Sequence, residues 1–170
     1  MTQDALVQEV IASYMLRYHP VQVWARRSKQ ALKAKGILQD LDKGIVERAS
    51  GVRLTQSDHN KLFNTLTYNA TSGAKTYTVK IQAVPAEGEN QRHYWEADLL
   101  LSCSCPFWRY GGCEHHANRL DYLYAEEYPR GTLAVPSIRD PDNNNYVCKH
   151  IYKALQESKR IYFDYKPKFR

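Results

Sequence analysis

Hydrophobic positions recur at helical spacing at the start of the chain and at strand spacing in its middle. Between residues 3 and 18, Leu6, Val7, Val10, Ile11, Tyr14 and Tyr18 fall on one helical stripe, with Asp4 placed where a helix dipole favours an anion, and Pro20 ends the run. A second helix is predicted from Gln22 to Lys35, with Val21, Trp24, Ala31 and Leu32 available for packing and Gly36 as its stop. The stretch from Ile37 to Leu54 fits a short third helix or a strand at Val52-Arg53-Leu54. The period then changes to two. Strands are predicted over Leu62–Tyr68 and Thr76–Val84, joined by a turn at Asn69–Lys75. In the second, Tyr77, Val79, Ile81 and Ala83 alternate with Thr78, Lys80 and Gln82, as in a half-buried strand. After a polar, turn-rich stretch at Pro85–Arg92, a further strand is expected from Tyr94 to Leu101.

The helical period returns at Cys148–Leu155, where Val147, Ile151, Ala154 and Leu155 share a stripe. Residues 106–147 lie between, and Phe107, Trp108, Tyr110, Tyr122, Leu123, Tyr124 and Tyr128 give them too many apolar side chains for a solvated loop. A short helix from about Glu114 to Ala125 is expected there, then an irregular return marked by Gly131, Pro136, Pro141 and Asn143-Asn144-Asn145. The tail from Arg160 to Tyr165 is rich in strand formers and suits a sheet edge, its own or a neighbour's. The fold class is α+β, with a mainly helical region over residues 1–55 and an α+β domain over 56–170 that carries the insert 106–147.

Composition narrows the function classes. The chain has 170 residues, 43% of them hydrophobic, enough for one modest core and unlike a disordered segment. No apolar run approaches the roughly 20 residues that cross a bilayer, and the first thirty residues hold no uninterrupted apolar segment, so the expectation is a chain made in a cytosol, without a membrane partner. The net charge of +6 permits an acidic partner without naming one. Its most concentrated source is Arg26, Lys29 and Lys33, on roughly one face of the second helix with no acidic residue between Glu9 and Asp40. That face reads as solvated surface, or as an arm against phosphate or an acidic neighbour. His19 fits a capping or surface role. Asp58-His59-Asn60 lacks a second histidine and a ligand set, and fits a cap or turn better than a nuclease motif.

All four cysteines follow residue 100, and in a cytosol they read as metal ligands before disulfides. Cys103 and Cys105 leave a strand, while Cys148 and His150 open a helix; two thiols on a turn and a thiol and imidazole on a first helical turn can converge on a tetrahedral ion, for which Zn2+ is the default. A nearer pair, Cys113 and His115 with His116 next to it, is the alternate. Closing the longer spacer costs only about 1.5 kcal/mol more, so chain entropy does not choose. The apolar stripe behind Cys148 ranks Cys103, Cys105, Cys148 and His150 first, because a helix seated on the sheet can present both ligands. Either set supplies four protein ligands and leaves no open position, which argues for a structural ion and against an enzyme.

Cys-x-Cys followed by Cys-x-His resembles the SWIM-type zinc-binding domain, over roughly residues 76 to 157. The resemblance implies a ββα unit: a hairpin supplying Cys103 and Cys105 and a helix supplying Cys148 and His150, stapled by Zn2+ behind an N-terminal helical arm. The wording Cys-Ser-Cys-Pro-Phe-Trp at 103–108, Glu-His-His-Ala at 114–117, Pro-Arg-Gly-Thr at 129–132, Ile-Arg-Asp-Pro at 138–141 and Cys-Lys-His at 148–150 resembles a long-insert variant found in tailed-phage virion proteins. That likeness implies a zinc-stabilised structural subunit of the tail, baseplate or head–tail region, made in the host cytoplasm, carried in the virion and surrounded by other virion subunits in a multi-copy assembly. SWIM domains in general imply the other reading, a nucleic-acid-binding module using Arg26, Lys29 and Lys33.

Overall fold

The computed structural model describes residues 33–38, 41–84, 93–120, 122–124, 138–142 and 144–162. The chain divides into Met1–Gln30 and Ala31–Arg170. The helix expected over 3–18 lies outside the described residues, as do Arg26, Lys29 and the second predicted helix up to Leu32. That helix does not run through to Lys35, because Lys33 is extended and bridges Asp98; a separate short helix, α1, Ala34–Ile37, starts after it and contains Gly36 rather than stopping there.

The ambiguous stretch after it contains both alternatives. Asp42 caps α2, Lys43–Ala49, by accepting a hydrogen bond from Ile45 N at 3.2 Å, and Ile45 and Ala49, one turn apart, are its buried side. Val52 is buried next, and β1 runs over Arg53–Asn60. Asn60 then accepts from the backbone N–H groups of Leu62 and Phe63, so Asp58-His59-Asn60 ends a strand and starts a turn.

The remaining strands are β2, Thr65–Ser72, β3, Lys75–Val84, and β4, Asp98–Cys103, in one antiparallel sheet ordered β1-β2-β3-β4. The hairpin expected between the second and third strands is present, with its turn displaced. Asn69, Ala70 and Thr71 pair with Thr78, Tyr77 and Thr76, and only Gly73 and Ala74 turn the chain. Exposed Asn69 alternates with buried Tyr68 and Ala70, so period-two burial overrides turn-prone residue types. β4 starts later than expected, because Tyr94–Ala97 form a turn closed on the His93 carbonyl; it therefore ends on Cys103 itself. Gln82, read as outward, is buried and donates its amide to Phe63 O at 3.0 Å.

Leu66, Tyr68, Ala70, Val79, Ile81, Ala83, Leu99, Leu101 and Cys103 fall on one face of the sheet by register. Against that face packs α5, Lys149–Ser158, which also touches α2. Val147, Ile151, Ala154 and Leu155 are all fully buried, as the helical stripe requires. The insert begins with two short helices, α3, Pro106–Tyr110, and α4, Cys113–Arg119. The expected helix over 114–125 thus stops at Arg119. Beyond it, Leu101 N donates to Tyr122 O and Tyr124 N donates to Leu101 O, so the edge of β4 takes the backbone bonds that more helix would have used. Of the tail, Tyr162 bridges His93, and residues 163–170 lie outside the described set.

Candidate metal centre

Cys103 is the last residue of β4, opposite Val79 and facing α5. Ser104 holds the exit of that strand to β3 twice, its N–H donating to Thr78 O at 3.0 Å and its Oγ accepting from Thr78 N at 2.9 Å. Cys105 is the N-cap of α3, with Pro106 at the first helical position and Trp108 N donating to its Sγ at 3.3 Å. Cys148 is the N-cap of α5, and His150 lies in its first turn. Lys149 between them donates to Ser72 Oγ at 2.7 Å, fixing the helix start over the β2–β3 hairpin.

These elements bring Cys103, Cys105, Cys148 and His150 together, with one ligand atom from each within 4.8 Å of all the others. A tetrahedral zinc with bonds of about 2.3 Å to sulfur sets thiolates roughly 3.8 Å apart, so a small contraction closes the shell. All four side chains are buried. Cys103 Sγ stands 4.0 Å from His150 Nδ1. The Tyr77 ring lies 4.8 Å from the imidazole, while His150 Nε2 is buried without a hydrogen-bond partner. Packing on Tyr77 therefore holds this ring.

The electrostatics suit a cation. Burial pushes the Cys103 and Cys148 thiols well above their ordinary range. Cys105 goes the other way: hydrogen bonds from the Cys103 and Cys148 thiols, with smaller help from His150 and Trp108 N, hold it down as a thiolate. One thiolate shared by two thiol donors is the arrangement that a divalent ion replaces, releasing the donors' protons. With four buried protein ligands, the site matches a structural zinc.

Cys113, His115 and His116 are not in this group. Cys113 is fully buried, and burial raises its thiol. His116 is also fully buried and bonds to Asp140, with Nε2 2.9 Å from Oδ2. The His115 and His116 rings meet edge to face. Lys33 is exposed just before α1. Sequence reading missed Ser104 and Tyr77 as supports of the site, and Asp140 as the partner of His116. A serine between two cysteines and an Asp-Pro before three asparagines were the available signals.

No curated protein and no solved structure matches the chain. The family model of the SWIM zinc finger matches residues 77–116 and 141–159, two stretches that include all four clustered side chains and leave 117–140 unmatched between them. This match and the buried Cys3His group support a SWIM-type zinc-binding domain in this chain, with structural zinc as its cofactor.

Proposed function

We propose that the protein is a zinc-stabilised structural subunit of a tailed-phage particle, in the tail, baseplate or head–tail region, acting through protein–protein contacts and catalysing no reaction. The observation that carries the structural part is the closed, buried four-ligand group, which offers stability and no open coordination position. Exposed apolar side chains support contacts with neighbours. Phe107 and Tyr110 lie one turn apart on α3, and Ile138 is 92% exposed on a segment that Asn145 ties to Gly111 through bonds to Gly111 O and Arg139 O. The particle itself is taken from the likeness of the motifs between residues 103 and 150 to virion proteins. On this reading the chain is made in the host cytoplasm and carried in the virion.

Purified, zinc-loaded protein tests this by sedimentation against concentration and salt, with a labelled single-stranded and a labelled duplex oligonucleotide in parallel. Mass spectrometry of particles from lysed host cells forms the second arm. Self-association or partner binding that changes little with salt, and the chain present at fixed ratio in particles, are expected. Oligonucleotide binding that weakens steeply with salt, together with absence from particles, would replace the proposal with a nucleic-acid-binding module.

A further inference from the structure

The family match stops at His116 and resumes at Pro141, and His116 is bonded to Asp140 at the far end of the unmatched stretch. We propose that the buried His116–Asp140 pair closes the neck of this insert and is a positioning element for the metal ligands, one that makes a long spacer behave as a short one. The proposal rests on the assignment of the metal centre to Cys103, Cys105, Cys148 and His150.

The bonds around the pair run toward both halves of the centre. On one side, His116 stands on α4, which follows α3 through Gly111 and Gly112, and α3 starts at Cys105. On the other, Asp140 organises the approach to Cys148: its Oδ1 accepts from Asn144 N at 2.9 Å and Asn145 N at 3.3 Å, and its Oδ2 from Asn145 N at 3.2 Å and from His116 Nε2. Asn145 returns across the neck, donating from Nδ2 to Gly111 O at 2.7 Å. Tyr122 does so from inside the insert, its hydroxyl donating to Tyr146 O at 2.8 Å, and the Tyr146 ring lies 4.8 Å from that of His116. Backbone on both sides of the neck is thus fixed through one carboxylate, one imidazole and one amide.

Chain entropy explains the need. In a spacer of this length the Cys148–His150 pair would search a large volume before meeting Cys103 and Cys105, and each lost conformation weakens binding. Closing the neck three or more residues before Cys148 removes that search, and the remaining path from Asn145 to Cys148 is short. His116 Nδ1 is buried with no hydrogen-bond partner, so the imidazole is committed to Asp140 alone. A buried pair of this kind contributes through geometry rather than through net electrostatic stabilisation.

The test is zinc affinity of the full chain by chelator competition, with the visible spectrum of the Co2+-loaded protein and the thermal stability of the zinc-free protein measured alongside. His116→Phe keeps the ring against Tyr146 and removes the bond; Asp140→Ala removes the anchor for both sides; His116→Gln retains a donor. About tenfold weaker zinc binding is expected in the first two, with altered Co2+ bands, and most of the affinity returns in His116→Gln. Should Asp140→Ala fail to fold, His116→Phe decides. Wild-type zinc affinity in His116→Phe, even with lower zinc-free stability, would overturn the positioning role. Zinc retained in Cys148→Ser would instead show that the metal centre itself is assigned wrongly.

Discussion

Two buried tyrosines separate the value of a hydroxyl from the value of a ring. Tyr68, on β2, is buried in the core with its hydroxyl unpartnered, and burial, with Glu157 adding to it, pushes that hydroxyl up to about 12. Tyr122 is equally buried, but its hydroxyl donates to Tyr146 O across the insert neck. An unmatched buried polar atom forfeits its hydration and gains nothing, whereas a matched one also satisfies its acceptor. Tyr68→Phe is therefore expected to be neutral or to stabilise by up to about 1 kcal/mol, and Tyr122→Phe to destabilise by about 1–2 kcal/mol, because it also strips the Tyr146 carbonyl. Urea denaturation of the three zinc-loaded proteins checks this, and equal losses in both variants would contradict it. The same residue-scale logic limits sequence reading. That Cys148 and His150 stand together at a helix start is visible in the string; that His116 finds Asp140 is not, since neither periodicity nor local spacing records a polar pair made across an insert.

Among elements, α5 and β3 were legible because each carries its own period. Val147, Ile151, Ala154 and Leu155 repeat at helical spacing, and Val79, Ile81 and Ala83 at strand spacing, so the buried face of each was readable before any tertiary contact was known. The boundaries of β2 and β4 were not, since Asn69, Thr71 and Ser72 are turn-type residues that pairing with β3 holds in the strand. The helix α3 is too short to show a period at all. Turns can be tested through two glycines. Gly73 has φ +62° and Gly112 has φ +107°, both in the region that L side chains avoid. A Cβ at Gly73 would meet nothing within 4 Å, whereas one at Gly112 would lie 2.5 Å from Asp140 Oδ2. Gly73→Ala is expected to cost about 1–2 kcal/mol, from backbone strain alone. Gly112→Ala should cost at least about 2 kcal/mol more, because it also displaces the carboxylate that closes the insert neck. Thermal or urea unfolding ranks the two, and a smaller loss in Gly112→Ala would show that Asp140 moves aside without consequence.

For the whole molecule, the question is how much of the fold depends on the ion. The sheet face under α5 is a continuous apolar core, running from Leu66 and Ile81 to Ile151 and Leu155. The ligand end differs: Cys103, Cys105, Cys148 and His150 are four polar side chains buried together, where burial pushes the Cys103 and Cys148 thiols toward their protonated forms. Zinc removal should therefore loosen the end of the domain that holds the centre, α3 and the first turn of α5, before the opposite end of the sheet. Acid acts in the same direction. Burial pushes the Cys103 and Cys148 thiols above the ordinary thiol range, and they must lose protons to bind, so falling pH favours the protonated, metal-free form and rising pH the loaded one. Hydrogen exchange before and after chelation, with metal content by mass spectrometry on Cys103→Ser, Cys148→Ser and Cys113→Ser, measures both effects. Loss of zinc in the first two and its retention in the third are expected, since burial alone accounts for Cys113. Chelation should then release protection around Pro106–Tyr110 and the start of Lys149–Ser158 while β2 and the centre of β3 stay protected. Uniform loss of protection would instead make the ion a condition for folding of the entire sheet, the behaviour of small domains whose binding free energy, on the order of 10 kcal/mol, exceeds what their cores supply.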